Sequence, residues 1–328
     1  MRLQARRSRA WVPVVAGLLA GQFASHTAAE VRHISTKLDS AATAELILVG
    51  SWGSGHGQFG REEEAARTGP TDFTATVDML YVLDPINARV QMFGLDGTYR
   101  AEIPIGTRTA DFLCVDDAGA ITVLDAFKQR ELRTFAPSGA LRLRVDVPDS
   151  IGPCSAIWSD NARFWLEERH RRVHELALET DARGTRANAV AILPGRPIGR
   201  ERATVQARRA GMRNVVINGV NRRTLRYDRS VSSIVALESD AHDRMYLAVA
   251  CPCDERGNPW HTELVLTVFE ANGRTAGSIH MPNQYVTDHY RKICVTPSGE
   301  VIQMQTTEEG VRFVRWSWDP NATQGAQR

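Results

Sequence analysis

The stretch from Leu46 to Gly106 constrains this chain more than any other. Phe73–Val77 and Met79–Leu83 are short β-prone runs divided by a tight turn at Asp78, and Pro85-Ile86-Asn87 makes a second turn. Arg89-Val90-Gln91-Met92-Phe93 alternates as a half-buried strand does, Leu95-Asp96-Gly97 turns again, and Ala101–Ile105 supplies a fourth strand. Four short antiparallel strands form a sheet that cannot bury both of its faces alone. A chain with one such unit therefore needs several.

The copies are present. The run Tyr81–Arg89 is echoed by Thr122–Arg130 and Phe164–Arg172, and more faintly by Val215–Arg223. Each has an apolar strand, an acidic or amide marker, and Arg five residues on. The markers fall at Asp84, Asp125, Glu167 and Asn218, in steps of 41, 42 and 51 residues. A period of roughly 40–50 residues built from short strands is that of a β-propeller blade. A pair repeated in every blade reads as a staple across the turn between second and third strands, since a catalytic pair is needed only once.

The founding copy also resembles a known repeat. Gly53-Ser54-Gly55-His56-Gly57-Gln58-Phe59, Pro70, Tyr81-Val82-Leu83-Asp84 and Asn87-Ala88-Arg89-Val90-Gln91-Met92-Phe93 look like the NHL repeat, with Arg61–Thr68 as an insertion. The resemblance covers about 60 residues well, is fair in the next two units, and fades after residue 190. It implies a fold, commonly six-bladed, and little about activity, because one fold hosts many functions. The expected architecture is all-β: a six-bladed β-propeller with an N-terminal strand closing the last blade. The blades fall near 70–105, 107–148, 150–195, 196–230, 231–283 and 284–318, with Leu46–Val49 completing the sixth beside Arg312–Trp318. Closing a ring with the chain's two ends removes an open sheet edge.

Ahead of the repeats, Arg2, Arg6, Arg7 and Arg9 precede an apolar run, Trp11–Ala20, and small residues through Ala29. That is the order of a secretory signal peptide. The expected layout is a signal peptide at 1–29, the propeller at 30–319 and a polar tail at 320–328, in an extracytoplasmic protein, periplasmic or secreted. The net charge is +2, and the four leader arginines carry more than that, so the mature chain is slightly acidic. Its charge is uneven: residues 160–229 hold sixteen Arg against eight Asp and Glu. Such a surface suits a protein or anionic glycan partner, and nothing in the chain has the aromatic-interleaved basic pattern of a nucleic-acid binder. Five cysteines in an exported chain raise the question of disulfides. Cys114 and Cys294 occupy the same level on two innermost strands and read as small buried hydrophobes.

Propellers take ligands at the mouth of the central channel. On that face the repeat places Asp72, Asp111, Cys154, Asp288 and His289 at strand starts, His56 on the Gly-rich loop and His170 in the third blade's turn. The loop Cys251-Pro252-Cys253 through Trp260-His261 rises there too. It reads as a disulfide-stiffened binding loop, a metal site or ordinary loop variation. Cys251, Cys253, Trp260, His261, His56 and His170 are the candidate binding residues. Catalytic signatures such as H-E-x-x-H and G-x-S-x-G do not occur. The leading reading is therefore a binding or scaffold module that needs no cofactor. The alternative is a hydrolase or lyase, as the resemblance to lactonases and peptide-amidating lyases implies, with Asp72, Asp111, Asp288 and His289 holding Ca²⁺ or Zn²⁺.

Overall fold

A computed structural model describes residues 30–34, 42–63, 67–160, 163–182, 184–193, 195–198, 201–207, 212–218, 223–253, 262–283 and 285–318. The expected signal peptide and C-terminal tail lie outside this set, as do Trp260 and His261. The described chain is all β apart from one 3-10 turn at Pro85–Asn87.

Two strands come first, β1 (Glu30–Ile34) and β2 (Ala42–Ser51). One sheet is then β3 (Asp72–Ala75), β4 (Met79–Asp84), β5 (Arg89–Gly94) and β6 (Tyr99–Pro104). The second is β7 (Phe112–Val115), β8 (Ile121–Asp125), β9 (Glu131–Phe135) and β10 (Leu141–Asp146). The third is β11 (Cys154–Asp160), β12 (Arg163–Glu168), β13 (Arg172–Asp181) and β14 (Gly184–Leu193). The fourth holds β15 (Arg196–Ile198), β16 (Glu201–Ala207), β17 (Met212–Asn218) and β18 (Arg223–Val231), with β1 added outside β18. The fifth is β19 (Ser233–Ser239), β20 (Met245–Pro252), β21 (Thr262–Phe269) and β22 (Thr275–Pro282). The sixth is β23 (Ile293–Val295), β24 (Val301–Thr306) and β25 (Gly310–Trp318), with β2 outside β25.

The first strands of these sheets touch their neighbours: β3 meets β7, β7 meets β11, β15 meets β19, β19 meets β23, and β23 meets β3. The sheets stand side by side around one cavity, a β-propeller-like arrangement. The core lies between sheets. Phe59, Phe73, Phe93 and Phe313 pack between the first and sixth, and Leu225, Tyr227, Leu247 and Phe269 between the fourth and fifth. A strand covered on both faces loses the alternation of a half-exposed one. All eight residues of β20 are buried.

β2 pairs antiparallel with β25 from Ala42↔Trp318 to Ser51↔Gly310, so the two ends of the chain share one sheet. β1 departs from expectation. Glu30–Ser40 reads as a plain lead-in, yet β1 runs parallel to β18 over five residues and buries Ile34 against the core. Parallel pairing of distant segments has no local signature, so the sequence is silent there.

The repeated staple holds in one sheet only. Arg89 Nε lies 3.0 Å from Asp84 Oδ2, and both side chains are buried. The guanidinium also donates to the carbonyls of Ser54, Gly55 and Gln58. Asn87 Nδ2 donates to Gly53 O, and Asp84 Oδ1 accepts from Gly60 N. The motif thus clamps the Gly-rich loop. In the second sheet the turn is one residue longer: Asp84 faces Arg89, but Asp125 faces Glu131. Arg130 therefore falls in the turn with φ 53°, the conformation of Ala88 at 52°, and donates to the carbonyls of Pro148 and Ile151 instead. In the third sheet Glu167 faces Val173 and is held by Arg196 rather than Arg172.

Candidate functional site

A central cavity of about 380 Å³ is lined by a strand or strand start from every sheet, including Asp72, Phe112, Trp158, Arg196, Glu238 and Arg291. Beside it lies a groove of about 430 Å³ formed by the turns of the first and second sheets. Tyr290 lines both. Both volumes fall in the range of about 300–1,000 Å³ usual for ligand pockets.

Tyr290 stands on the strand-start segment before β23, and Phe127 on the turn between β8 and β9. Their centroids are 6.0 Å apart, and Phe112 lies under Tyr290 at 4.8 Å. Phe127 and Tyr290 are 50% and 51% exposed, which is unusual for rings that already pack on one another. The Tyr290 hydroxyl donates to the Asp111 carboxylate, which also accepts from Ala126 N. The ring is fixed before any ligand arrives. The groove's other walls are polar: Thr71, Glu62, which pairs with Arg108, and the exposed Lys128.

In the cavity, Arg291 Nε lies 3.0 Å from Asp72 Oδ1. Asp72 also accepts from Phe73 N and Leu113 N. Burial pushes its carboxyl up to about 6, against the pull of Arg291 and these amides. Burial likewise pushes Asp111 up to about 6. Across the cavity Glu167 is held down to about 2: burial opposes its ionised form, and bonds from His170, Arg196 and Ser155 outweigh that. Ser155 Oγ donates to Glu167, and His170 Nδ1 lies 3.2 Å from the same oxygen. The carboxylate sits between serine and histidine, so His170 does not stand as base to Ser155. That order differs from a nucleophilic triad.

Asp72 titrates high in the fold, so between its ordinary value and about pH 6 the native state binds more protons than the unfolded chain. Stability falls as pH rises through that window. At about 1.4 kcal/mol per unit, the effect reaches up to about 3 kcal/mol. Asp72→Asn removes it. The expected result is that wild type loses stability relative to this variant between pH 4 and pH 7 in urea titrations. Parallel curves would overturn the assignment.

The other expected residues are dispersed. His56 sits over Tyr99, its Nδ1 2.9 Å from the hydroxyl, and lines neither cavity. Cys251 is fully buried among core residues of the fourth and fifth sheets, because every position of β20 is inward. Its thiol is thus turned into the core and away from solvent. Cys253 is exposed, and the five cysteines are free. Cys114, Cys154 and Cys294 are buried.

The residues expected for a metal have other partners or stand apart. Asp72 is spent on Arg291 and two amides, and Asp111 on Tyr290 and Ala126. Asp288 is exposed. His289 is largely buried and pushed down to about 4 by burial and Lys292, with its Nδ1 donating to Thr287 O. Among the described residues no three His, Cys, Asp or Glu side chains gather as a metal site. Sequence reading singled out Asp288 and His289 and passed over the next two residues, Tyr290 and Arg291, which do reach the cavity. An aromatic in a turn, Phe127 where the first copy has Ile86, was the available signal.

No family model matches the chain, and no curated protein matches it. Among solved structures it is similar to virginiamycin B lyase from Staphylococcus aureus, at 10% identity and TM-score 0.47 over 85% of this chain and 100% of that one. It is similar to a DUF4221 family member from Bacteroides vulgatus at 11% and 0.48, over 85% and 96%. A third is hydrazine synthase from Kuenenia stuttgartiensis at 13% and 0.45, over 75% and 78%. At such identities and scores these likenesses carry no argument about activity, and the chain's own geometry is what bears on function.

Proposed function

We propose that the protein is an exported six-bladed β-propeller binding module, with an NHL-like first blade, whose ligand rests on the Phe127–Tyr290 platform at the channel mouth. The carrying observation is that pair of half-exposed rings where groove and cavity meet, one of them anchored by Asp111. Rigid aromatics beside polar walls offer contact area and oriented hydrogen bonds at low entropic cost. The six sheets are the blades, closed by β2. The leader-like run of arginines, apolar residues and small residues at 1–29 suits an extracytoplasmic protein. Cys253 follows the second strand of the fifth sheet as Phe127 follows that of the second, and so stands on the same face.

The test is a glycan and peptide array probed with the mature protein from Glu30 and with the double variant Phe127→Ala/Tyr290→Ala. Signals should drop at least tenfold in the variant, with the melting temperature within a few degrees of wild type. An unchanged array profile would remove the groove from consideration.

A further inference from the structure

The turn joining β12 and β13 presents Arg169, Arg171 and Arg172 to solvent, with His170 between them reaching the central cavity. Arg169 and His170 both hold left-handed φ, 50° and 57°, which fixes the directions of successive side chains. Arg213 and Arg226 are exposed in the next sheet, near the register pair Asn214↔Arg226. Among the described residues none of these five arginines has a carboxylate at ion-pair distance; Arg169 and Arg172 only pull on Glu168 from further away. Elsewhere Arg67, Arg100, Arg108, Arg144 and Arg312 each have one. Arg142 and Arg274 are also exposed without such a pair, but singly; five together, in a chain otherwise acidic, make a local positive field.

We propose that this arginine turn is the docking surface for a polyanionic polysaccharide that crosses the channel mouth. The inference rests on the mouth face being the binding face. His170 and Phe127 occupy equivalent turns, those between second and third strands, so the arginines and the aromatic groove lie on one side of the ring. A polymer with regularly spaced carboxylates, sulfates or phosphates meets the guanidiniums in their forked geometry. A single small anion would engage one of them. The dipolar charge also steers such a polymer in, with a strong dependence on ionic strength.

The experiment uses the mature protein on biosensor surfaces bearing polygalacturonate, dextran sulfate or neutral dextran, at low and physiological salt. Polygalacturonate and dextran sulfate separate carboxylate from sulfate chemistry. Wild type should bind at least one polyanion and not dextran, with affinity falling as salt rises. The triple variant Arg169→Gln/Arg171→Gln/Arg172→Gln should bind at least tenfold more weakly with unchanged melting. A triple variant that binds like wild type overturns the inference, and so does a wild type that binds neither polyanion at low salt. Sedimentation adds a separate arm: a wild-type dimer that becomes monomeric in the triple variant assigns the surface to a second copy and overturns it too. Loss of binding in Phe127→Ala/Tyr290→Ala alone keeps the groove and sinks the arginine turn, whereas loss in the triple variant alone does the reverse.

Discussion

Arg89→Met is expected to destabilise the protein by about 3–5 kcal/mol, the usual cost of removing one partner from a buried ion pair. The magnitude follows from what is left behind. Asp84 stays fully buried and loses its cation, and the carbonyls of Ser54, Gly55 and Gln58 lose their donors together. Arg130→Met is the matched control. By repeat position it is the same substitution, but Arg130 pairs with no carboxylate and donates only to two carbonyls. It should cost about 1–2 kcal/mol. Urea midpoints for the two variants check this. Equal losses would mean that the clamp on the Gly-rich loop contributes nothing beyond an ordinary turn.

Deleting residues 30–51 is expected to abolish soluble folded protein. β25 would lose its outer neighbour along its length, Ile47 and Leu48 would leave the core they share with Phe59 and Phe313, and a long strand edge would open. The rescue is specific. Because Ala42 lies opposite Trp318, a short turn can join them directly. A circular permutant starting at Trp52 and running through Trp318 and a two-residue Asn-Gly turn into Ala42–Ser51 makes β25 and β2 an ordinary hairpin. It should melt within a few degrees of a native-order chain that begins at Ala42 and so lacks β1 as well. If the deletion alone folds, or the permutant fails while remaining soluble, closure by this strand is not what holds the ring.

Much of the fold was legible because its signals are local. Turns at Asp78, Pro85 and Gly97 set one unit and spacing set the rest, although Arg89–Phe93, which reads as half-buried, is buried at every position but Met92. The six expected segments fall on the six observed sheets. What escaped was non-local or a matter of single-residue register. One added residue before Glu131 turned a predicted ion-pair arginine into a turn residue. β1 found its place through the free edge of β18, which no pattern in Glu30–Ile34 announces. The candidate site was legible as a face but not as a site. Asp72 and Asp111 were rightly put at strand starts, yet their lone pairs go to backbone amides, Arg291 and Tyr290. Phe127 and Tyr290, far apart in sequence, meet only because the segment before β23 crosses the first sheet, Tyr290 N donating to Thr71 O, and so reaches the second.

The sharing of one sheet by the chain's two ends also sets a timetable. Synthesis makes β2 before the sheets that lie between and β25 after them, so β2 waits without its hydrogen-bonding neighbour while all of them are made. Contacts of such sequence separation form late and slowly. For that interval the molecule carries a hydrophobic strand with no home, and its safety rests on chaperones or on speed of delivery rather than on its own stability. Truncation before Gly310 would leave that wait without an end.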